Sequence, residues 1–434
     1  MWIRPALQFR GTPRLPGDKS ISHRYALLAA LCPEETRISN YSASEDCQNT
    51  LRCLQAVGVR VENSSGDVRL QGRALGDLGP ADKPLDCGNS GTTIRLLSGI
   101  LAAQKFHYVL TGDDSLRSRP MGRILLPLRK MGATILASHG ERAPLQILGR
   151  PLHGVEYILP VASAQVKSCV LLAGLHARGR TEVIEAIPTR SHTERAFPLF
   201  GVDIEIQEER ISVRGGQQPR SPGDLRVPAD PSAAAFFCVA ACLIPGSSVT
   251  LNRINFNPAR IELFRILIQA GADIRIESKR EEFGEPVADI VVRYSDRFLQ
   301  TFPEKIGGKI IPALIDEIPI LAVLACRLPH GLEIRDAAEL RHKETDRIHA
   351  LAEGLKTLGV RLDELEDGLR IHPCSNLHGA RVASCGDHRL AMAFSIAALL
   401  ADSDVEIRQS QCVAVSYPDF YSNLEKLTGA GRPA

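Results

Sequence analysis

Several carboxylates and cations stand where a helix is about to begin, and these are the residues whose types and spacing could do chemistry. Asp316-Glu317 precedes an apolar stretch, so a carboxylate there can cap a helix, act as a general base, or do both. The run Arg341-His342-Lys343-Glu344-Thr345-Asp346-Arg347 spaces Lys343 and Arg347 one helical turn apart with Glu344 beside them, which reads either as an anion site or as a salt-bridged surface face. Gly17-Asp18-Lys19-Ser20 offers backbone amides, a hydroxyl and an ammonium to a phosphate or carboxylate, although Asp18 and Ser20 are equally good caps. Gly88-Asn89-Ser90-Gly91-Thr92-Thr93 is Gly-rich but lacks the Lys of a P-loop, so nucleotide binding is not supported; otherwise it is a tight strand-to-helix turn. Arg119 before Pro120 is expected to hold its guanidinium at a helix start, or else to be solvated. Lys19, Arg24, Arg95, Arg119, Lys167, Lys343, Arg347 and Arg389 all belong to such heads. If the heads face one another, they suit a substrate with several negative charges.

Composition narrows the field. The 434 residues are 44% hydrophobic and 24% charged, ordinary for a globular protein able to bury more than one core. Fifty-two basic and 50 acidic residues give a formal charge of +2, so no global field draws the chain to nucleic acid or to an anionic membrane. The 11 cysteines lie scattered in apolar stretches such as Phe236 to Leu243, the pattern of buried reduced thiols in a cytoplasmic protein. No CxxC, HExxH or Cys/His cluster is present, so neither a metal nor another cofactor is expected. Met1 to Lys19 carries no signal-peptide core and no membrane span.

The elements that must position these residues repeat. Amphipathic stretches end in Gly, a small or branched residue, a polar residue and an aliphatic one: Gly58-Val59-Arg60-Val61, Gly132-Ala133-Thr134-Ile135, Gly201-Val202-Asp203-Ile204, Gly271-Ala272-Asp273-Ile274 and Gly359-Val360-Arg361-Leu362. A sixth begins at Leu427-Thr428-Gly429-Ala430. The spacing is roughly seventy residues, too long for a small solenoid repeat. Thr50 to Val57, Met121 to Met131, Ile261 to Ala270 and Arg347 to Leu358 are read as the helices that these glycines close before a strand. The heads lead into Ala26 to Leu31, Val170 to Leu175, Ala233 to Leu243, Ile320 to Cys326 and Ala391 to Leu400, which are apolar nearly all round and must be buried. Six units imply two lobes of three, residues 1–17 plus 229–434 and residues 18–228, with crossovers near Gly17 and Pro228. A single Rossmann sheet is disfavoured, because no strand is followed by GxGxxG with an acidic residue downstream.

Together LPGDKSISHR (Leu15 to Arg24), GNSGTTIR (Gly88 to Arg95), RPMG (Arg119 to Gly122), SAQVKS (Ser163 to Ser168), DEIPILAV (Asp316 to Val323), KETDRI (Lys343 to Ile348) and DHRLAM (Asp387 to Met392) resemble the EPSP synthase family across nearly the whole chain. The resemblance implies an α/β fold, the inside-out α/β barrel with two lobes of three βαβαββ units. It also implies transfer of the enolpyruvyl group of phosphoenolpyruvate to the 5-hydroxyl of shikimate 3-phosphate by a metal-free cytoplasmic monomer. Lys19 is matched to a contact with both substrates and to the catalytic set, Ser20 and Arg24 to shikimate 3-phosphate. Ser163, Ala164 and Gln165 are matched to the substrate-binding segment, Gly91, Arg119, Arg347 and Arg389 to phosphoenolpyruvate. Asp316 is matched to the base that takes the 5-hydroxyl proton, Lys343 to the shikimate phosphate, and Glu344 to proton transfer at the phosphoenolpyruvate methylene. Asn89 and His388 fall inside the matched motifs and are counted with the binding residues.

One departure stands out. Cys412-Val413-Ala414-Val415-Ser416-Tyr417-Pro418-Asp419 has no Lys where many family members carry one, which puts one phosphoenolpyruvate contact in question. SAQ-x-K and Arg190-Ser191-His192-Thr193-Glu194 resemble a particular branch, in which Arg190 is a candidate for the shikimate phosphate. For glyphosate, an anionic competitor of phosphoenolpyruvate in the family, Gly91 leaves room, whereas the branch markers imply reduced sensitivity; the markers are weighed more heavily. A UDP-N-acetylglucosamine enolpyruvyl transferase is the nearest rival, but GDKSISHR and KETDR do not resemble its motifs. A non-catalytic anion-binding repeat protein is the other, and it would leave Asp316 and Glu344 idle.

Overall fold

Leu85–Asp86, His107–Thr111, Arg142–Leu148 and Thr134–Ser138 lie side by side in that order in a four-stranded sheet of the computed structural model, which describes residues 1–64 and 66–429. The first pair is parallel and the others antiparallel. Parallel neighbours need a crossover, here supplied by helix Gly91–Leu101. Helices Asp114–Ser118 and Gly122–Lys130 follow His107–Thr111, and a hairpin closes the unit, giving β-α-β-α-β-β.

The same order recurs in Glu156–Ile158, Arg180–Ile184, Arg210–Arg214 and Ile204–Gln207. It recurs again in Asp224–Arg226, Glu35–Ser39, Asp67–Gln71 and Arg60–Ser64. In this last sheet the opening strand comes from the far end of the segment, 224–226, and pairs in parallel with Glu35–Ser39. These three sheets belong to one compact unit, Gly17–Val227 with Glu282–Glu285. Its own apolar core runs through helices Lys19–Ala29, Gly91–Leu101 and Ala164–His176.

The other unit comprises Met1–Pro16, Pro228–Glu281 and the chain from Pro286 onward, and has a separate core. Two of its sheets repeat the pattern: Arg10–Gly11, Ser248–Asn255, Glu285–Arg293 and Ile274–Glu282 form one; Lys305–Ile306, Leu332–Ile334, Gly368–Ile371 and Leu362–Leu365 form the other. The third is shorter, with Arg381–Ala383 parallel to Val405–Arg408 and Trp2–Ile3 antiparallel on the other side. Each set of three sheet-and-helix units is the α/β repeat expected from the sequence.

Local chemistry explains the boundaries. Gly58 at φ +91° and Gly359 at φ +89° close their helices in the left-handed region, as do Gly132, Gly201, Gly271 and Gly429. Ala430, the last residue of the sixth tail, lies outside the described residues. Helices Pro231–Leu243 and His388–Leu399, apolar over most of their residues, are buried along their whole length. On the first of them Phe237 packs against Phe9 at 6.0 Å and Phe420 at 5.5 Å between ring centroids. Tyr417 Oη donates to the Arg14 carbonyl at 2.7 Å, so the N-terminal and C-terminal segments are fastened to this one helix. Truncating such a buried aromatic typically costs about 3–5 kcal/mol.

Candidate functional site

The heads are helix N-termini with short polar caps. Asp18 accepts from Ile21 N at 3.1 Å, Ser90 from Thr93 N at 3.1 Å and Ser163 from Val166 N at 3.4 Å; Asp387 accepts from Arg389 N at 2.8 Å. The capping reading holds at these four heads, where a side-chain oxygen meets amides that the helix leaves unpaired. Gly17 is required by close approach: a Cβ there would lie 1.9 Å from the Asn40 carbonyl oxygen.

Within the 17–227 unit, Lys19 Nζ pairs with Asp46 Oδ2 at 2.8 Å. Arg24 is buried, and each of its nitrogens donates one bond: Nη1 to the Ser20 carbonyl at 2.9 Å, Nε to Thr193 Oγ1 at 2.8 Å and Nη2 to Ser168 Oγ at 2.6 Å, which leaves one N–H on each Nη. Burial brings its guanidinium down to about 10, opposed by Glu194 and Asp18, while Arg190 pushes the same way as burial. Arg190 thus acts on Arg24 as a second cation.

Arg119 follows helix Asp114–Ser118 and does not open the next one, which starts at Gly122; its expected place at a helix start is corrected. Its guanidinium is held by Asn89, through the carbonyl at 3.3 Å and Oδ1 at 2.5 Å, and by Ser115 Oγ at 3.0 Å. Arg119 Nε is buried with no hydrogen-bond partner among the described residues. Arg95 Nη1 donates to Gln165 Oε1 at 2.6 Å, and Gln165 Nε2 to Thr92 Oγ1 at 2.9 Å. Gly91 underlies both arginines, since a Cβ on it would stand 2.8 Å from Arg95 Nη1 and 3.5 Å from Arg119 Nη1. Ser163 caps helix Ala164–His176, which carries Ala164 and Gln165 in its first turn.

Lys167 is a correction. Expected among the cations that face an anionic substrate, it is 0% exposed and its Nζ lies 2.7 Å from Glu185 Oε1 and 2.5 Å from Glu194 Oε1.

In the other unit a single cluster gathers the carboxylates and cations. Arg347 Nε donates to Asp387 Oδ2 at 2.8 Å and Nη2 to Glu344 Oε2 at 2.5 Å. Burial opposes the charge of Arg347, yet Asp387 and Glu344 outweigh it and hold the guanidinium well above its ordinary value. Arg347 Nη1 is buried and has no hydrogen-bond partner among the described residues. Such an unmet donor costs about 1–3 kcal/mol unless water or an anion meets it. Arg389 Nη1 donates to the Asp316 carbonyl at 3.1 Å, with Nε 3.4 Å from Asp316 Oδ1. His388 is buried beside them in sequence.

The expected shared helical face of Lys343 and Arg347 is not formed. Lys343 ends the 3-10 helix Ala338–His342, and Asp346, accepting from His349 N at 3.0 Å, caps a new helix that starts at Arg347. Lys343 instead meets Glu339 Oε1 at 3.8 Å; burial pushes its ammonium down, while Asp316 and Glu339 support the charge. Glu317, at the N-cap of helix Ile318–Ala325, makes no side-chain cap bond to it. Glu317 is buried, takes the Ser232 hydroxyl, and is pushed up by burial and by Asp316.

Sequence reasoning missed Asp46, Ser168 and Asp387 as partners of site cations. Ser168 and Asp387 sit in quoted motifs, but nothing in the sequence around Asp46 pointed to Lys19. Among the described residues no group of three His, Cys, Asp or Glu side chains is placed to hold a metal ion, and no helix is long and apolar enough to cross a membrane.

Repeated sheet-and-helix units whose helix starts carry buried arginines tied to carboxylates define an α/β enzyme built to handle anions. Residues 3–424 match the family model described as EPSP synthase (3-phosphoshikimate 1-carboxyvinyltransferase). The chain is 48% identical over 434 residues to a 3-phosphoshikimate 1-carboxyvinyltransferase of Salinibacter ruber, covering 98% of this chain and 99% of that protein. It is 48% identical over 421 residues to one of Pelotomaculum thermopropionicum, covering 96% of each. The solved EPSP synthase of Acinetobacter baumannii superposes with a TM-score of 0.86 at 39% identity, covering 98% of this chain and 97% of that one. The chain belongs to the EPSP synthase family. Its activity is the family's, enolpyruvyl transfer from phosphoenolpyruvate to shikimate 3-phosphate in the shikimate pathway. The UDP-N-acetylglucosamine rival is set aside by this match.

Proposed function

We propose the following division of labour among the residues. Lys19, Ser20, Arg24, Ser163, Ala164, Gln165, Arg190 and Lys343 hold shikimate 3-phosphate. Asn89, Gly91, Arg119, Arg347, His388 and Arg389 form the phosphoenolpyruvate set, and Lys19 also meets that substrate. Asp316 accepts the 5-hydroxyl proton as the oxygen attacks C2 of phosphoenolpyruvate, and Glu344 delivers a proton to C3. The tetrahedral adduct then loses phosphate as Glu344 takes a proton back from C3 and the carbon–carbon double bond reforms; the proton held by Asp316 leaves with the phosphate. Arginines suit the planar carboxylates and phosphates, and lysines supply compact charge near the reacting oxygen.

The observation that carries this reading is the pairing of Glu344 Oε2 with Arg347 Nη2 at 2.5 Å while Arg347 Nη1 has no hydrogen-bond partner among the described residues. One guanidinium thereby fixes the proton carrier and keeps a donor for the anion whose carbon is protonated. We place the enzyme in the cytoplasm as a monomer of two lobes, 1–17 plus 229–434 and 18–228. Its 11 cysteines are all unpaired, which suits a reducing compartment. Release of inorganic phosphate from phosphoenolpyruvate, measured with and without shikimate 3-phosphate, tests the reading on Glu344→Gln and Asp316→Asn. Release that stays near wild type in either variant refutes the assigned roles.

A further inference from the structure

Lys167 is spent on the protein itself, and what it ties together has a use. Helix Ala164–His176 and helix His192–Leu199 are joined by two adjacent rungs. In the first, Lys167 Nζ meets Glu194 Oε1 at 2.5 Å and Glu185 Oε1 at 2.7 Å. In the second, formed by the residue after Lys167 and the residue before Glu194, Ser168 Oγ and Thr193 Oγ1 are 2.7 Å apart. The guanidinium of Arg24 is seated on that second rung, with Nη2 on Ser168 and Nε on Thr193.

The first rung also closes the segment between the helix and the strand before it. Glu185 follows strand Arg180–Ile184, and its other oxygen, Oε2, accepts from Thr189 N at 3.2 Å and Thr189 Oγ1 at 2.7 Å. That fixes the stretch ending at Arg190, whose charge is felt by Arg24. Glu194 supplies the negative charge nearest in effect to Arg24, and its Oε2 is buried without a hydrogen-bond partner among the described residues. The ammonium of Lys167 is thus the common partner of two carboxylates, one setting Arg24 and one setting Arg190.

We propose that Lys167 is a positioning residue for the reaction: through Glu194 and Glu185 it holds Arg24 and Arg190 in place for the phosphate, and so sets affinity for shikimate 3-phosphate without touching it. The inference rests on the assignment of Arg24 and Arg190 to that phosphate. A lysine here is needed, because one ammonium reaches two carboxylates and no apolar residue can join them. Buried networks of this kind are coupled, so their members are resolved only by cycles of variants.

The test compares Lys167→Met, Lys167→Met/Glu194→Gln, Arg24→Ala and the combination of Lys167→Met/Glu194→Gln with Arg24→Ala. Lys167→Met alone leaves two unpaired buried carboxylates and is expected to fold poorly. The double variant removes that charge excess, so its melting temperature returns toward wild type. Its KM for shikimate 3-phosphate is expected to stay raised by about tenfold, with the KM for phosphoenolpyruvate and kcat within about twofold. In the Arg24→Ala background the double change should add nothing further to that KM. A folded double variant with the wild-type shikimate 3-phosphate KM overturns the inference, as does an equal rise in both KM values or an undiminished effect once Arg24 is gone. If Arg24→Ala itself leaves shikimate 3-phosphate binding unchanged by calorimetry, the failure lies in the underlying phosphate assignment instead.

Discussion

Arg347 Nε donates to Asp387 Oδ2 over 2.8 Å with both side chains shut off from solvent, 1% and 0% exposed. The KETDRI and DHRLAM motifs, forty residues apart, are one structural object. Asp387 has two tasks in it, since Oδ1 caps helix His388–Leu399 through Arg389 N and Leu390 N while Oδ2 orients Arg347.

These tasks separate by substitution. Asp387→Asn keeps the cap, because Asn is as good an N-cap as Asp, but removes the counter-charge. Asp387→Ala removes both and strands Arg347, and losing one member of a buried pair costs about 3–5 kcal/mol. Urea unfolding should therefore rank Ala as less stable than Asn, and both should bind phosphoenolpyruvate more weakly. A loss for Asp387→Ala inside the range of an ordinary surface substitution, about 0.5 kcal/mol, would show that the pair does not hold the cluster.

Asp316→Asn and Glu344→Gln remove proton transfer while keeping size and hydrogen-bonding shape. General acid–base catalysis contributes about 100-fold to 10,000-fold, so turnover should fall by at least the lower figure. Calorimetric affinity for shikimate 3-phosphate should change only a few-fold, because anion binding is carried by the cations. A parallel collapse of affinity and turnover would make these carboxylates structural.

Lys343 gives the binding of shikimate 3-phosphate a pH dependence. Burial lowers its ammonium below the ordinary lysine value, against the support of Asp316, Glu339 and Glu344 and with the repulsion of Arg347. A base whose value is lowered loses its charge, as pH rises, earlier than an exposed lysine does. Affinity should accordingly decline as pH rises through that lowered value. Lys343→Arg should push that decline upward, because a guanidinium keeps its charge. Superimposable alkaline profiles for wild type and Lys343→Arg would rule Lys343 out as the titrating group.

What was legible in the sequence follows from range. The caps at Asp18, Ser90 and Asp387 and the left-handed glycines at Gly58 and Gly359 are decided within a few residues, so residue type and spacing suffice. Partner choice is decided by packing. Arg24 finds Ser168 across 144 positions and Lys19 finds Asp46 across 27, and neither pairing has a periodicity that a reader of the chain could follow. Lys167 was misplaced for the same reason: a lysine two residues after Gln165 looks like a site cation until Glu185 and Glu194 are seen around it. The error at Lys343 was local, because Asp346 is a capping residue and resets the helical register between Lys343 and Arg347.

Glyphosate sensitivity brings Gly91 and Val415 into direct competition. A methyl group at position 91 would stand 2.8 Å from Arg95 Nη1, which also donates to Gln165 Oε1 at 2.6 Å, so the guanidinium must shift. Gly91→Ala should therefore weaken phosphoenolpyruvate as well as glyphosate, since the arginine is displaced rather than merely crowded. Val415 ends the 3-10 helix Ser410–Val415, whose Cys412 thiol is pushed up by burial and also feels Asp387 and Glu344. That segment thus flanks the acidic cluster around Arg347 in its own unit, and a lysine on it adds a cation next to carboxylates that now have none from this side chain. Charge-assisted bonds to a small anion are strong, so the missing ammonium favours reduced sensitivity in the wild type. Val415→Lys should tighten inhibition by glyphosate while changing shikimate 3-phosphate affinity by less than about twofold, as read from inhibition curves and calorimetry. A wild-type enzyme already strongly inhibited at glyphosate concentrations equal to the phosphoenolpyruvate present would show that the open space at Gly91 outweighs the absent cation.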